Sequence, residues 1–298
     1  MGKKTTKTDI YQKVTDQIIA AIENGLEGNF ELPWHHISAV PQNARTGNFY
    51  NGVNVPLLWV NQIHSQYVSG QWATYKQWAE LGAQVKKGEK GAPVVFWKAI
   101  DIEPEEDNEE AETRMFARWS TVFNADQVEG YDVQSFEPSD IQAIGAADAV
   151  IDASGADIRH EGQRAFYSVS GDYISVPCPK YFKATCDSSA TENYYSTIFH
   201  ELVHWTGSES RLDRQKNNKF GGEDYAFEEL IAELGAAMVC AKTGVATAPR
   251  QDHAHYIKNW LEALKSDKRF IFSASSQAQK AADFLFSLQE TSQEAEAA

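Results

Sequence analysis

The sequence predicts an α+β protein in two domains, and three observations lead there. The chain has 298 residues, more than one small hydrophobic core usually organises. Its composition shifts along its length. The first hundred residues hold ten Lys/Arg against seven Asp/Glu, and the remainder holds 17 against 35. Five of the eight tryptophans (Trp34, Trp59, Trp72, Trp78 and Trp97) fall in the first hundred. Helical periodicity and short extended runs occur in both halves. The expected division is an N-terminal domain over residues 1–130, a linker over 131–150 and a C-terminal domain over 151–298.

From the N-terminus, Asp9–Asn24 places Ile10, Val14, Ile18, Ile19 and Ile22 at helical spacing. A turn-rich piece follows over residues 43–52, then a second helical stretch over Val53–Val68. Thr74–Leu81 reads as a third helix with Thr74 as its N-cap. Strands are expected over Pro93–Ile100 and Arg114–Asn124, joined by a dense acidic run from Asp101 to Glu112 that reads as a solvated hairpin loop. In the C-terminal half, Ala165–Pro177 reads as two short strands turning at Ser170-Gly171-Asp172. Such a pair can offer its edge to an extended peptide. The segment from Thr191 leads into a helix that Gly207 caps, Asp224–Ala241 forms another, and the end from Thr291 is expected to fray.

The chemistry concentrates at His200-Glu201-Leu202-Val203-His204. Residues i and i+4 share a helix face, so the two imidazoles can reach one tetrahedral Zn²⁺. Glu201 then stands beside the metal as general base for a bound water. A third ligand is expected from the downstream helix, where Ala232, Gly235, Ala236 and Ala237 permit close approach. Glu229 and Glu233 lie on one face of it, with Glu228 turned about 100° away. Glu229 is therefore the expected ligand, and Glu233 the expected partner of a ligating imidazole's outer nitrogen. Tyr225, on the turn before Glu229, is a candidate hydrogen-bond donor to the oxyanion, with His253 and His255 as alternatives. Two imidazoles and a carboxylate also accept Mn²⁺, Co²⁺ or Ni²⁺.

Aromatics interleaved with lysines and glycine-rich turns suit a binder of single-stranded nucleic acid, whose bases stack on rings while cations track the phosphates. Arg45, Lys86, Lys87 and Lys90 are the candidate phosphate contacts, and Trp34, Tyr50, Trp72 and Tyr75 the candidate platforms. Trp59, Trp78 and Trp97 sit in apolar stretches and read as core. No apolar run is long enough to span a bilayer, and the start lacks a secretory pattern. Cys178, Cys186 and Cys240 have no CxxC spacing and read as reduced thiols of a cytoplasmic protein.

These motifs carry a resemblance. The stretch Pro177–Ala241, with YYSTIFHELVHWTGSESRLDR and YAFEELIAELGAAM, resembles the zincin-like metallopeptidase domain of ArdC-type antirestriction proteins. Residues from Tyr11 to Asn124, with NARTGNFYNGVNVPLLWV and WATYKQWAELGAQVKKGEKGAPVVFW, resemble the N-terminal domain of that family, shared with TraC-type primases. The resemblance implies single-stranded-DNA binding by the N-terminal domain and protection of incoming plasmid DNA from host restriction. The expected mechanism is peptide hydrolysis at zinc, with a host protein as substrate. Two other readings stay open: a DNA-coating protein with a structural or inactive metal site, and an acidic DNA mimic that occupies a restriction enzyme.

Overall fold

A computed structural model describes residues 9–27, 40–67, 69–102, 112–132, 140–162, 164–182, 184, 188–214, 223–245 and 254–296. The first helix, α1 (Ile10–Glu27), buries Val14, Ile18 and Ile22 completely, as its periodicity requires. β1 (Gln42–Asn43) leads through a turn at Gly47, whose φ of +74° suits glycine, to α2 (Asn54–His64). β2 (Gln71–Thr74) then feeds α3 (Tyr75–Glu80). Thr74 caps α3 as expected, in a reciprocal box with Gln77. β3 (Gln84–Val85) pairs with β6 (Val128–Glu129) as a small ribbon. Between them β4 (Ala92–Ile102) and β5 (Glu112–Asn124) form a long antiparallel hairpin. The middle of the acidic run, residues 103–111, lies outside the described residues.

The N-terminal sheet has the order β1-β2-β5-β4, which leaves β4 at an edge. Part of that edge is covered by a side chain. Asn54 at the start of α2 donates to the Val95 carbonyl at 2.8 Å and accepts from the Val95 amide at 2.7 Å. A buried amide satisfying both backbone groups removes a strand-pairing template at that point. On the sheet's interior, Tyr50, Leu58, Trp72, Ala92, Val94 and Val122 make a compact cluster.

The expected linker instead carries α4 (Asp140–Ser154), whose Ala147 and Val150 are fully buried. Its low amphipathicity, with alanine and glycine spread around the helix, hid it in the sequence. β7 (Asp157–His160), β8 (Phe166–Ser168) and β9 (Tyr173–Val176) then form a sheet of order β7-β9-β8. The expected β8–β9 hairpin is present, with Asp172 at φ +48° in its turn, while β7 was not anticipated. Among the described residues that follow, four α-helices form: α5 (Ala190–Thr206), α6 (Glu223–Thr243), α7 (Ala254–Ser266) and α8 (Phe270–Glu296). α8 runs past Thr291, so the end expected to fray is helical to Glu296.

One hydrophobic cluster joins the halves, running from Val14 and Ile18 of α1 and Trp59 of α2 to Leu230 of α6, Trp260 of α7 and Ala281 of α8. Polar contacts follow it. Thr15 donates to the Lys268 carbonyl at 2.8 Å, Lys265 pairs with Glu23 at 2.6 Å, and Lys268 pairs with Asp9. Among the described residues no helix is long and apolar enough to cross a membrane, and Cys178 and Cys240 are not joined in a disulfide. Cys186 lies outside the described residues.

Candidate metal centre

The centre is made by α5 and α6. α5 begins at Ser189, whose hydroxyl accepts from the Glu192 amide at 3.2 Å while the Glu192 carboxylate accepts from the Ser189 amide at 2.7 Å. That capping box fixes the start of the helix, and hence which face holds His200 and His204. The helix ends at its C-cap Gly207 as expected, with an ordinary φ of −77°. Arg211 and Arg214 take over, donating to the Trp205 carbonyl and the Val203 carbonyl, each at 2.6 Å. A cation on the last carbonyls of a helix also complements its dipole.

The two helices touch at glycine. A methyl group added to Gly235 would lie 2.9 Å from Cγ2 and 3.0 Å from Cγ1 of Val203. Val203 falls inside the His-Glu-x-x-His run, so the absence of a side chain at Gly235 lets the acidic face of α6 approach the imidazoles.

His200, His204 and Glu229 converge as expected. The Nε2 atoms of the two histidines are 3.1 Å apart, and Glu229 places one carboxylate oxygen 3.4 Å from His200 Nε2 and the other 3.5 Å from His204 Nε2. A tetrahedral ion bonded at about 2.0–2.1 Å would hold its donors about 3.3–3.4 Å apart. The donor set therefore fits a divalent cation without rearrangement. Glu201, the next residue along α5, is buried beside it.

The outer nitrogens are also arranged. Glu233 lies 3.7 Å from His200 Nδ1, on the side expected of it but beyond hydrogen-bond range. Helix spacing turns Glu228 about 100° from Glu229, and it is turned away from the metal. Instead it accepts from His204 Nδ1 at 3.3 Å. A carboxylate can only accept, so Nδ1 carries the hydrogen and Nε2 is left to the metal. Arg214 holds Glu228 in turn, through Nη2 at 3.0 Å and Nε at 3.2 Å, and spends a third donor on Thr206 at 2.9 Å. The three glutamates thus divide the work, with Glu229 toward the ion and one acid near each outer nitrogen. Sequence spacing missed Glu228 and Arg214 because the latter lies outside both helices.

Charge follows geometry. Burial alone would push the His204 imidazolium down, but Glu229 and Glu228 outweigh it and push its pKa up to about 10. Burial raises Glu229, yet the charge on His204 and the hydrogen bonds from both rings hold its carboxyl far below the usual range. Glu228 is lowered as well, since bonds from His204 and Arg214 overcome its burial. Tyr225 lies one turn before Glu229 on α6 and is half-buried. Of the alternative donors, His253 lies outside the described residues and His255 has only its place on α7.

The expected DNA contacts separate into two groups. Trp72 is 0% exposed and Tyr50 is buried with its hydroxyl accepting from Asn43 at 3.2 Å, so neither offers a face to a base. β2 is interior to its sheet, which a stretch with few branched residues did not announce. Tyr75 is exposed, and so are Arg45, Lys86, Lys87 and Lys90. Lys86 donates to the Asp126 carbonyl at 2.9 Å, and Arg45 lies 3.4 Å from Glu80. Trp34 lies outside the described residues. Trp59 and Trp78 are core as expected, whereas Trp97 is exposed on edge strand β4.

Comparison with known proteins agrees with this anatomy. Residues 145–277 match the zincin-like metallopeptidase family, and residues 8–123 match the N-terminal domain of anti-restriction factor ArdC. The uncharacterised protein y4eC of Sinorhizobium fredii is 42% identical over 97% of this chain and 95% of its own length. DNA primase TraC of Escherichia coli is 34% identical over 95% of this chain, which spans only 28% of that longer protein. The metal-free crystal structure of antirestriction protein ArdC from plasmid R388 superposes with a TM-score of 0.79 at 41% identity, covering 95% of this chain and 98% of that one. Its Mn(II)-bound structure superposes with a TM-score of 0.76.

Proposed function

This chain belongs to the ArdC-type antirestriction proteins, and from that premise we propose that it is a divalent-metal peptidase carried by single-stranded DNA to the host proteins that threaten that DNA. The observation that carries the peptidase reading is the convergence of the His200 and His204 Nε2 atoms with the Glu229 carboxylate, at separations of 3.1–3.5 Å, beside the buried acid Glu201. The ArdC relative has been crystallised with Mn(II), and the nitrogen-rich donor set here also suits Zn²⁺.

A cation held by these residues supplies Lewis-acid polarisation of a peptide carbonyl and makes a water acidic enough to lose its proton near neutral pH. The chain's own residues do the rest. Glu201, with little water around it, accepts a proton from the attacking water and returns it to the leaving amine. Glu228, backed by Arg214, holds the His204 ring in the tautomer that frees Nε2. Edge strand β8 offers unpaired backbone groups to an extended substrate. Tyr225 is the group on α6 assigned to stabilise the oxyanion. Arg45, Tyr75, Lys86, Lys87 and Lys90 are exposed residues of the N-terminal half that suit contact with DNA. Action on incoming DNA places the protein in the cytoplasm.

Glu201→Ala tests the reading. The variant is expected to bind Zn²⁺ or Mn²⁺ and single-stranded DNA as the unaltered chain does, and to lose both proteolysis and protection of transferred DNA. Full protection by Glu201→Ala would overturn the peptidase mechanism and leave a DNA-coating protein.

A further inference from the structure

We propose that an unpaired stretch of DNA seats in a cleft at the seam of the two halves, between the Gln42–Tyr50 turn and the edge of β4 on one side and α8 on the other. The inference rests on the single-stranded-DNA reading above and assigns it a seat. The cleft has a volume of about 820 Å³ and draws its walls from both halves, including Phe272, Gln279 and Lys280 of α8.

Three properties of the cleft favour this occupant. The first is its rings. Phe49, Phe96 and Trp97 are 55%, 48% and 44% exposed, and all three line it. Aromatic faces held in water by a hairpin and an edge strand are platforms for bases that have left a duplex, and duplex DNA keeps those base faces covered. The second is its hydrogen-bonding chemistry. Asn48 and Asn51 sit exposed on the wall, each able to donate and accept as a base edge does. Around them the wall is stiffened: Asn43 donates to Gln77 at 3.3 Å, and Gln279 accepts from the Gly52 amide at 3.3 Å, bolting the N-terminal turn to α8.

The third is charge. The chain has 42 acidic residues and a net charge of −15, yet among the described residues none that lines the cleft is acidic, while Lys280 does line it. Arg45 and Lys76, next in sequence to the lining residues Thr46 and Gln77, are exposed and share the single acid Glu80. Asp283, one turn beyond Gln279, accepts from the Gln279 amide at 3.0 Å and keeps its charge, so the acid-free wall ends there. A polyanion therefore meets less repulsion here than this acidic chain would lead one to expect.

Because α8 supplies one wall, the seat belongs to the whole chain and not to the N-terminal half alone. The test uses the full-length protein and a labelled oligothymidylate, read by fluorescence anisotropy and by tryptophan emission. Phe49→Ala, an exposed position on the turn, is expected to weaken binding about 5- to 150-fold, the contribution of one stacked base. Lys280→Gln should reduce both the affinity and its salt dependence. Trp97→Phe should abolish most of the emission change on binding. Retained metal binding in each variant reports an intact fold. Unchanged affinity in Phe49→Ala and Lys280→Gln, with loss in Lys86→Gln, would put the strand on the Lys86–Lys90 turn and overturn the cleft while leaving DNA binding intact. No binding of oligothymidylate by the unaltered chain would instead overturn the DNA reading itself.

Discussion

The metal centre is buried between two long helices, whereas the aromatic cleft is open to water on a hairpin turn and an edge strand. In the first, each functional group is held by a neighbour: His204 by Glu228, Glu228 by Arg214, and the helix contact by the gap at Gly235. In the second, the rings of Phe49, Phe96 and Trp97 each stand about half exposed. A side chain that binds a cation inside a protein has to be pre-set, because desolvated charges tolerate no error in partners. A side chain that stacks on a flexible strand has only to be exposed. The difference teaches where mutation will damage the fold and where it will damage binding alone.

The largest expected effect is at a ligand. Glu229→Gln should lower Zn²⁺ or Mn²⁺ affinity by more than the roughly 10–100-fold typical of an outer partner, and Glu228→Gln should fall within that range, both measured by isothermal titration calorimetry. Equal losses in the two variants would erase the distinction drawn between ligand and support. Next comes the contrast between two tryptophans of one sheet, Trp72 on interior strand β2 and Trp97 on edge strand β4. Trp72→Ala should cost about 3–5 kcal/mol of stability as a core truncation. Phe49→Ala and Trp97→Phe should each stay within about 1 kcal/mol, as read from urea unfolding. Gly235→Ala is expected to cost about 1–3 kcal/mol by overpacking and to weaken metal binding along with it, since Val203 lies between the ligands it would displace.

The smallest effect is a pH dependence. The His204 pKa is raised from 6.5 to about 10, so the metal-free protein carries a proton on this ring at neutral pH that the ion must displace. Metal affinity should therefore rise with pH up to about 10, with roughly one proton released. Calorimetry in buffers of differing ionisation enthalpy counts that proton. The sign for folding is opposite. The contribution of His204 to metal-free stability is complete below pH 6.5 and lost as pH climbs through about 10. Metal binding without proton release would show that the ring is neutral before the ion arrives.

Much of the metal centre was legible because its spacing is dictated by helix geometry. An i, i+4 histidine pair and a carboxylate on a small-residue helix have few alternative arrangements. Glu228 was assigned the right rotation but no role, since its partner Arg214 reaches it from a loop that no periodicity describes. α4 was hidden by an alanine-rich sequence without a polar stripe. In the N-terminal half the helices and the long hairpin were legible, but burial was not. Local sequence offers Trp72 as a stacking platform and Trp97 as core, and strand order reverses both, putting Trp72 inside the sheet and Trp97 on its edge. The cleft was illegible for a further reason: its wall at α8 lies some 230 residues along the chain from Gly52, the contact that closes it.

X-ray absorption of the Zn²⁺-loaded full-length chain would test the central assignment most directly. The account predicts a first shell with two imidazole nitrogens, a carboxylate oxygen and room for a water, losing the carboxylate in Glu229→Ala and one imidazole in His204→Ala. A shell that contains cysteine sulfur, or one unchanged by either substitution, would contradict it.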